Sequence, residues 1–386
     1  MKIPVLDLKP QIQAHRSAIM EAVESVIDSA RFVLGPDVEE LEKAIASYVG
    51  AGHAIGVASG SDALLIALMA LDIGPENAVI TTPYTFFATA GAIHRVGATP
   101  VFVDIRPDSF NLDAEKLADY LENLCEVDAE TGMARDKTSG CLVRAIISVH
   151  LFGQCADMGA VMSLARKYKL YVVEDAAQAL GAACNGEMAG SIGHVGCLSF
   201  YPTKNLGGFG DGGMITTSDG NLAELCRTIR VHGGRPKYFH TIVGINSRLD
   251  ALQAATLLVG LRRLDEWTEM RRGHARAYEE SLKGIGGLKL PVTLTGRRHV
   301  FNQYVIRSDR RDALREYLAD KGIGTEIYYP LPLHLQECFS RLGYGKGDFP
   351  ESERAAAESL AIPMFPYLTE RQRATVTDAI KEFQKS

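Results

Sequence analysis

Lys204 stands in a setting that is unusual for a lysine. It lies within LSFYPTKNLGGFGDGGMITT, residues 198–217, after small, hydroxylated and aromatic residues and before a run of glycines. A flexible glycine-rich turn lets the backbone approach a planar ligand closely. When such an approach removes water from the amine, the pKa of the lysine falls and the neutral amine becomes a nucleophile. The segment therefore predicts a lysine that bonds covalently to a carbonyl compound.

Asp175 and Gln178 indicate what that compound is. Asp175 ends an apolar stretch within VVEDAAQALGA (172–182) that is typical of a buried strand. In open α/β sheets, ligands bind at the carboxyl ends of the strands. A buried carboxylate needs a cationic partner, and the protonated nitrogen of a pyridine ring would be one. Gln178 follows three residues later, on the same face if a helix begins there. With Lys204, these residues predict pyridoxal phosphate as the cofactor, although Asp175 alone is better explained as a helix cap.

Such a cofactor also needs an anion site and a flat apolar neighbour. The sequence SGSD (59–62) follows a predicted strand and opens an apolar helix, where free backbone N–H groups and the helix dipole favour a phosphate. In PYTFFATA (83–90), Phe86 or Phe87 could stack on the ring. Each feature alone also has an ordinary explanation, a helix cap in the first case and core packing in the second. The glycines after Lys204 fit a dinucleotide-binding loop poorly, because an apolar strand follows them.

Length and composition favour a globular protein of two domains. The chain has 386 residues, with 46% hydrophobic and 23% charged residues. Its net charge of −6 gives no reason to expect nucleic-acid binding, and no apolar run is long enough to span a bilayer. The segment MKIPVLDLKPQ carries charge early and has no apolar signal-peptide core, so we expect a cytoplasmic protein. Seven scattered cysteines without a CxxC pair indicate free thiols rather than a disulfide framework or a metal site.

Strand-like and helix-like stretches alternate between residues 53 and 217. This alternation, with continuous Val/Ile runs, predicts an α/β fold whose central sheet is parallel or mixed and covered by helices on both faces. The polar stretch 125–139 is interpreted as a surface insertion. One long helix is predicted from Asp250, leading to a smaller C-terminal α+β domain. The domains expected are a large cofactor-binding domain (1–250) and a linking helix with the small domain (251–386).

Several motifs, in their order and spacing, resemble the DegT/DnrJ/EryC1/StrS family of nucleotide-sugar aminotransferases. They are VEDAAQALGA, SFYPTKNLGGFGDGGMITT and GINSRLDALQAA, together with IPVLDLKPQ, SGSDAL, PYTFFATA and IYYPLPLHLQ. The resemblance covers nearly the whole chain. It implies the aspartate-aminotransferase fold (fold type I), in which a mixed, mostly parallel central sheet lies between helices. It also implies a homodimer and pyridoxal phosphate.

The resemblance also implies roles for individual residues. Lys204 would hold the cofactor as a Schiff base and shuttle the proton. Asp175 would pair with the pyridine nitrogen, and Gln178 would lie near the ring face and O3′. The other implied cofactor contacts are stacking by Phe86, phosphate binding by Ser199, Gly60 and Ser61, and a phosphate contact from Asn246 of the other subunit, which makes the active site shared.

A transamination follows from the same resemblance. A family branch that deoxygenates sugars has histidine in place of the lysine, whereas this chain keeps Lys204. L-Glutamate would be the amino donor. Tyr238, His240, VGINSRLD and YYPLPLH resemble members acting at C3 of nucleotide-linked 3-oxo sugars, either UDP-2-acetamido-3-oxo or dTDP-3-oxo-6-deoxy hexoses. The product would be an amino sugar for cell-surface glycans.

Candidate substrate contacts come from two regions of the sequence. Tyr329 and His334 could face the sugar, with packing at a domain junction as the alternative. Basic side chains near GINSRLD could bind the nucleotide diphosphate, although most of them are also explained as solvated surface residues. The further candidates are Tyr201, Arg230, His232, Arg235, Lys237 and Arg248.

Three other functions stay open at this point. The enzyme could aminate C4 of a 4-oxo nucleotide sugar. It could also catalyse another fold type I reaction, such as a dehydration or an elimination. Finally, the chain could be a non-catalytic regulatory or interaction protein that kept the fold. The presence of Lys204, Asp175 and Gln178 argues against the last function, because packing alone requires no lysine there.

Overall fold

A computed structural model describes residues 2–130, 132–234, 236 and 238–385. The helices are α1 (Lys9–Ala14), α2 (Arg16–Ser29), α3 (Pro36–Val49), α4 (Gly60–Ala70), α5 (Ala88–Arg95), α6 (Ala114–Asp119), α7 (Met158–Tyr168), α8 (Gly220–Ile229), α9 (Ala251–Leu261), α10 (Leu264–Leu282), α11 (Arg311–Asp320), α12 (Pro350–Glu358) and α13 (Glu370–Lys385). Shorter helical turns cover Tyr120–Leu124, Leu151–Gly153, Leu333–Leu335 and Glu337–Leu342.

The strands form one large sheet and two small ones. They are β1 (His53–Val57), β2 (Asn77–Thr81), β3 (Thr99–Phe102), β4 (Cys125–Val127), β5 (Ala134–Asp136), β6 (Leu142–Val149), β7 (Tyr171–Asp175), β8 (Ala183–Cys184), β9 (Glu187–Met188), β10 (Val195–Ser199), β11 (Gly213–Thr217), β12 (Leu288–Lys289), β13 (Arg297–Arg298), β14 (Tyr304–Ser308) and β15 (Ser359–Ile362).

The large sheet is mixed and mostly parallel, as the sequence predicts. Its strand order is β1-β11-β10-β7-β6-β2-β3. Strands β10, β7, β6, β2 and β3 run parallel, and β11 is antiparallel to both β10 and β1. Because β1 and β10 both oppose β11, they point the same way. The carboxyl ends of β1, β2, β6, β7 and β10 therefore lie at one edge of the sheet.

Helices bury both faces of this sheet. Ile146 and Val172 belong to an apolar cluster on one face, and Ile147 and Val173 belong to the cluster on the other. All four side chains are fully buried. Adjacent residues of one strand thus point into opposite cores, which explains why the strand sequences are continuously apolar rather than alternating.

The prediction of one continuous linking helix from Asp250 is wrong, because α9 ends at Leu261 and α10 begins at Leu264. At the junction, the Arg263 N–H donates to the Gly260 carbonyl at 2.9 Å, a tighter i→i−3 turn. A Cβ at Gly260 would come within 2.9 Å of Leu206 Cδ1, so a larger residue there would require the Leu206 side chain to shift. The helix is therefore interrupted at a point that periodicity alone does not reveal.

The C-terminal part builds its own antiparallel sheet, β12-β14-β15. Helices α10, α11 and α13 pack with it around a separate apolar cluster. That cluster also contains Ile3, whereas α9 packs with α2 and α3 beside the large sheet. The domain division between residues 250 and 251 stays a proposal. Ile3 precedes that boundary but packs in the C-terminal cluster, and α9 follows the boundary but packs beside the large sheet.

The polar stretch 125–139 is more ordered than a plain insertion. Strands β4 and β5 form an antiparallel hairpin that extends the large sheet beside β6.

All seven cysteines are free, and five of them are buried. Among the helices in the described ranges, none is both long enough and apolar enough to cross a membrane.

Gly213 offers a test of how tightly the large sheet is packed at the edge where the parallel strands end. It pairs with Val57 on one side and Ser199 on the other, and a Cβ there would overlap the backbone of Ser59. Gly213→Ala is expected to lower the free energy of unfolding by about 1–3 kcal/mol, because this contact cannot be relieved by a side-chain rotation. Urea unfolding measures the change.

Gly220→Ala is the matched control. Its Cβ would lie 3.6 Å from the nearest atom, His53 Nε2, which is an ordinary contact. Equal stability of the two variants would contradict the packing described at Gly213.

Candidate active site

A cavity of about 500 Å³ opens at the edge where the strands end. Residues from the ends of β7 and β10, the start of α4 and the segment before α5 line it. Nine of the side chains or glycines expected at a cofactor or substrate site meet there: Gly60, Ser61, Phe86, Asp175, Gln178, Ser199, Tyr201, Lys204 and Tyr329.

Lys204 lies on the turn between β10 and β11. The Lys204 N–H donates to the Tyr201 carbonyl at 2.9 Å. On the far side of the loop, the Phe209 N–H donates to Gln253 Oε1 at 2.8 Å. Gln253 therefore anchors the glycine-rich loop from α9, a role that the sequence analysis missed. Its signal was its place within GINSRLDALQAA, one of the motifs that carry the family resemblance.

Burial lowers the pKa of the Lys204 amine, and the Asp175 carboxylate opposes that shift. The amine is half-buried at the cavity wall. Desolvation penalises the ammonium form, so a larger fraction of Lys204 is a neutral nucleophile at a given pH than for an exposed lysine. This matches the activated lysine predicted from the glycine-rich segment.

The Asp175 carboxylate is 6% exposed. Its Oδ2 accepts a hydrogen bond from Thr89 Oγ1 at 2.7 Å, and its Oδ1 accepts one from the Ala177 N–H at 3.3 Å. Thr89 was not recognised from the sequence, although it lies in PYTFFATA beside the predicted stacking residue Phe86. Phe86 itself is 61% exposed on the cavity wall, so its ring has an open face.

Both ends of the Gln178 amide are engaged. Its Oε1 accepts from the Phe152 N–H at 2.7 Å, and its Nε2 donates to the Tyr329 hydroxyl oxygen at 2.9 Å. A backbone N–H cannot accept a hydrogen bond, so the Phe152 contact fixes which way the amide points. Since Nε2 must donate, the Tyr329 hydrogen remains available to an acceptor in the cavity. Phe152 has a left-handed φ of 57°, an uncommon conformation for a bulky residue.

The start of α4 provides an anion cradle. Ser59 caps the helix by accepting from the Asp62 N–H at 3.1 Å. A Cβ at Gly60 would lie 2.7 Å from the Ser199 Cβ, so only glycine allows the helix start and the end of β10 to approach this closely. Free N–H groups at a helix start and a neighbouring hydroxyl suit a phosphate.

Ser247 ties this cradle to the GINSRLD segment. Its Oγ accepts from the Ala58 N–H at 3.1 Å and donates to Asp62 Oδ2 at 2.8 Å. The adjacent Asn246 is exposed and lies outside the cavity of its own chain. Arg248 is half-buried and also lies outside it.

Two basic candidates have structural partners instead. His334 is buried, with its Nε2 3.2 Å from Glu353 Oε1 and its ring beside Phe349, so the packing alternative holds for it. Arg230 is buried and binds Glu42 and the Gly56 carbonyl. Neither residue lines the cavity of its own chain, so a substrate contact by His334 or Arg230 stays a prediction that this cavity does not support.

The remaining basic candidates give a mixed result. His232 is exposed, and its carbonyl oxygen lies 3.0 Å from His240 Nδ1. Arg235 and Lys237 lie outside the described residues.

The sequence analysis also missed a buried pair of polar side chains, His150 and Glu174. His150 lines the cavity, and its Nε2 lies 2.8 Å from Glu174 Oε2. Because His150 Nδ1 accepts from the Ala156 N–H at 3.2 Å, Nε2 carries the hydrogen. Glu174 also accepts three backbone N–H bonds, from Gly190, Ile192 and Gly193. This network holds the segment between β9 and β10 against β7.

These residues fit pyridoxal phosphate. The cavity combines a half-buried amine with a lowered pKa, a carboxylate, an exposed aromatic face and a helix start that only a glycine permits. Lys204 would hold the carbonyl carbon, Asp175 the ring nitrogen, Phe86 the ring face, and Gly60, Ser61 and Ser199 the phosphate.

Comparison with known proteins shows the family of this chain. Residues 13–381 match the model of the DegT/DnrJ/EryC1/StrS aminotransferase family. A "pleiotropic regulatory protein" of Geobacillus stearothermophilus is 50% identical over 100% of this chain and 99% of its own length. A UDP-N-acetyl-3-dehydro-α-D-glucosamine 3-aminotransferase of Acidithiobacillus ferrooxidans is 41% identical over 98% of this chain and 97% of its own length.

A solved structure resembles the fold closely. It is Streptomyces venezuelae DesV in complex with a ketimine intermediate, with a TM-score of 0.93 and 39% identity over 100% of this chain and 99% of that one. The architecture is that of a fold type I aminotransferase, which confirms the predicted fold class. The chain belongs to the DegT/DnrJ/EryC1/StrS aminotransferase family. Aminotransferases of this family depend on pyridoxal phosphate, so the predicted cofactor and enzyme class are confirmed.

The lowered pKa of Lys204 predicts a measurable pH dependence in the cofactor-free protein. Acetic anhydride modifies only neutral amines, so the labelling midpoint of Lys204 should lie at a lower pH than that of an ordinary lysine. Because the Asp175 charge raises this pKa, Asp175→Asn should move the midpoint further down. Peptide mass spectrometry across a pH series measures both.

Lys167 is an internal reference in the same digest, because its hydrogen bond to Glu122 raises its pKa. A Lys204 midpoint equal to or above that of Lys167, or an upward shift in Asp175→Asn, would contradict the electrostatics described here.

Proposed function

We propose that the protein transfers the amino group of L-glutamate to C3 of a nucleotide-linked 3-oxo sugar. The sugar would be a UDP-2-acetamido-3-oxo or a dTDP-3-oxo-6-deoxy hexose, and the product an amino sugar for cell-surface glycans. The observation that carries the aminotransferase part is the cavity in which Lys204 and Asp175 meet. The cytoplasmic location stays a prediction.

The C3 position rests on the names of relatives. Besides the A. ferrooxidans 3-aminotransferase, they include a dTDP-3-amino-3,4,6-trideoxy-α-D-glucose transaminase of S. venezuelae, 40% identical, and a UDP-2-acetamido-2-deoxy-3-oxo-D-glucuronate aminotransferase of Pseudomonas aeruginosa, 39% identical. Both UDP and dTDP sugars occur among them, so these names support C3 more strongly than either nucleotide.

The bound cofactor supplies a carbonyl that takes up the amino group and a ring that withdraws electrons from the carbon being deprotonated. The residues of the chain position it and move protons. Lys204 Nζ, whose pKa is lowered by burial, would in its neutral form accept the proton from the glutamate Cα and deliver it later in the transfer. The Asp175 carboxylate faces the same cavity and would hold the ring nitrogen in its protonated form.

Tyr329 and Tyr201 are the substrate contacts that the cavity supports best. The Tyr329 hydroxyl is oriented by Gln178 so that its hydrogen can reach an acceptor such as a sugar oxygen. Burial holds the pKa of Tyr329 well above its usual range, so the group stays a donor. Tyr201 is 52% exposed on the same wall, where an aromatic face can contact a nucleotide or sugar ring.

A homodimer would complete the site. Asn246 is exposed, but Ser247 anchors its segment to the helix start of the phosphate cradle. The segment 238–243 beside it exposes large apolar side chains, with Val243 89% and Phe239 69% accessible. Such a surface suits burial by a second copy of the chain. We propose that Asn246 and Arg248 serve the neighbouring subunit's cavity.

The G. stearothermophilus relative has a regulatory name, so the experiment also tests the non-catalytic alternative.

The decisive experiment is a panel of 3-oxo and 4-oxo nucleotide sugars, each with UDP and dTDP, incubated with the holoenzyme and L-glutamate. We expect 2-oxoglutarate with 3-oxo sugars and ping-pong kinetics. A preference for 4-oxo sugars would establish the C4 alternative. Absence of 2-oxoglutarate with every sugar and with glutamate alone would support the non-catalytic one.

Lys204→Ala tests the covalent attachment. Borohydride reduction of the wild-type holoenzyme should leave pyridoxyl mass on the peptide that contains residue 204, because only the Lys204 amine lies at the cavity wall with a lowered pKa in the described part of the chain. The variant should lose this label. The same label on another lysine in Lys204→Ala would contradict the assignment.

A further inference from the structure

Two threonine hydroxyls lie in a row behind the Asp175 carboxylate. Thr89 Oγ1 is 2.7 Å from Asp175 Oδ2, and Thr85 Oγ1 is 3.3 Å from Thr89 Oγ1. Thr89 is completely buried, and Thr85 is 3% exposed at the cavity wall. A buried hydroxyl row that ends on a functional carboxylate is more than packing requires, because valine would fill nearly the same space without polar groups.

The direction of each hydrogen bond follows from the groups involved. A carboxylate oxygen can only accept, so Thr89 gives its single hydrogen to Asp175. Thr89 can then only accept from Thr85, which therefore donates. The two O–H dipoles point the same way, toward the carboxylate, and each strengthens the other.

Thr89 lies in the first turn of α5, and its N–H donates to the Phe86 carbonyl at 3.2 Å. The same short segment therefore carries Phe86 on the cavity wall and the hydroxyl that holds Asp175. A shift of this segment would move the aromatic face and the carboxylate together.

We propose that Thr89, oriented by Thr85, is a positioning residue that fixes the rotation of the Asp175 carboxylate for its pairing with the cofactor ring. The inference rests on the proposed function, in that Asp175 faces the ring nitrogen. A hydrogen bond to a charged group is stronger than one between neutral groups, so the Thr89 bond contributes more than the Thr85 bond.

The test compares Thr89→Val with Thr89→Ser in the holoenzyme. Loss of a hydrogen bond to a charged group should raise the dissociation constant of pyridoxal phosphate about tenfold to a hundredfold in Thr89→Val. At saturating cofactor, the rate constant of the half-reaction with glutamate should fall while the apparent dissociation constant of glutamate stays unchanged. Thr89→Ser keeps the hydroxyl and should restore both quantities to near the wild-type values.

Thr81→Val is the matched control. Thr81 is also a buried threonine of this region, but its hydroxyl donates to the Ile147 carbonyl at 3.0 Å and not to Asp175. Thr81→Val should lower the stability without changing cofactor affinity. Thr85→Val removes a neutral hydrogen bond and should weaken cofactor binding about fivefold. If Thr89→Val does not fold, this variant tests the role of the two threonine hydroxyls instead.

The outcomes separate this inference from the proposed function. A wild-type protein that binds no pyridoxal phosphate would overturn the function itself. A wild-type protein that binds it, with Thr89→Val or Thr85→Val binding equally well, would overturn only the role of the threonines. Failure of Thr89→Ser to rescue would show that the methyl group, and not the hydroxyl, matters.

Discussion

The placement of a lysine and a carboxylate on the wall of one cavity is the constraint on which this site depends. Burial lowers the pKa of Lys204, while the charge of Asp175 limits that shift. A carboxylate that is 6% exposed is costly without donors, and Thr89 and the Ala177 N–H supply them. The cavity thus holds a reactive amine and an anion in place before any ligand arrives, which is the preorganisation that catalysis needs.

The sheet order explains how segments far apart in sequence reach this cavity. Strand β11 runs antiparallel between β1 and β10, so Gly213 lies between Val57 and Ser199. This places the α4 helix start directly against the end of β10, with Gly60 close enough to Ser199 that a Cβ would not fit. The phosphate cradle is therefore a product of strand pairing and of two glycines, rather than of a local loop motif.

Sequence reasoning found the parts whose signal is local. The strands, the family and the residues Lys204, Asp175 and Gln178 stand out from composition and motif. It missed Thr89 and Gln253, because their partners lie 86 and 44 residues away and a hydroxyl or amide carries no pattern of its own. It also assigned His334 to the substrate, although Glu353 and Phe349 enclose it. Side-chain direction at a domain junction is decided by tertiary contacts, which periodicity does not encode.

The protonation state of the cofactor ring nitrogen tests the central role of Asp175 most directly. Pyridoxal phosphate labelled with ¹⁵N in the ring can be bound to the wild-type protein and to Asp175→Asn and observed by NMR spectroscopy. The account predicts a protonated ring nitrogen in the wild type near neutral pH and an unprotonated one in Asp175→Asn, because the Asp175 carboxylate stabilises the pyridinium charge. An unprotonated nitrogen in the wild type, or the same protonation state in both proteins, would contradict it.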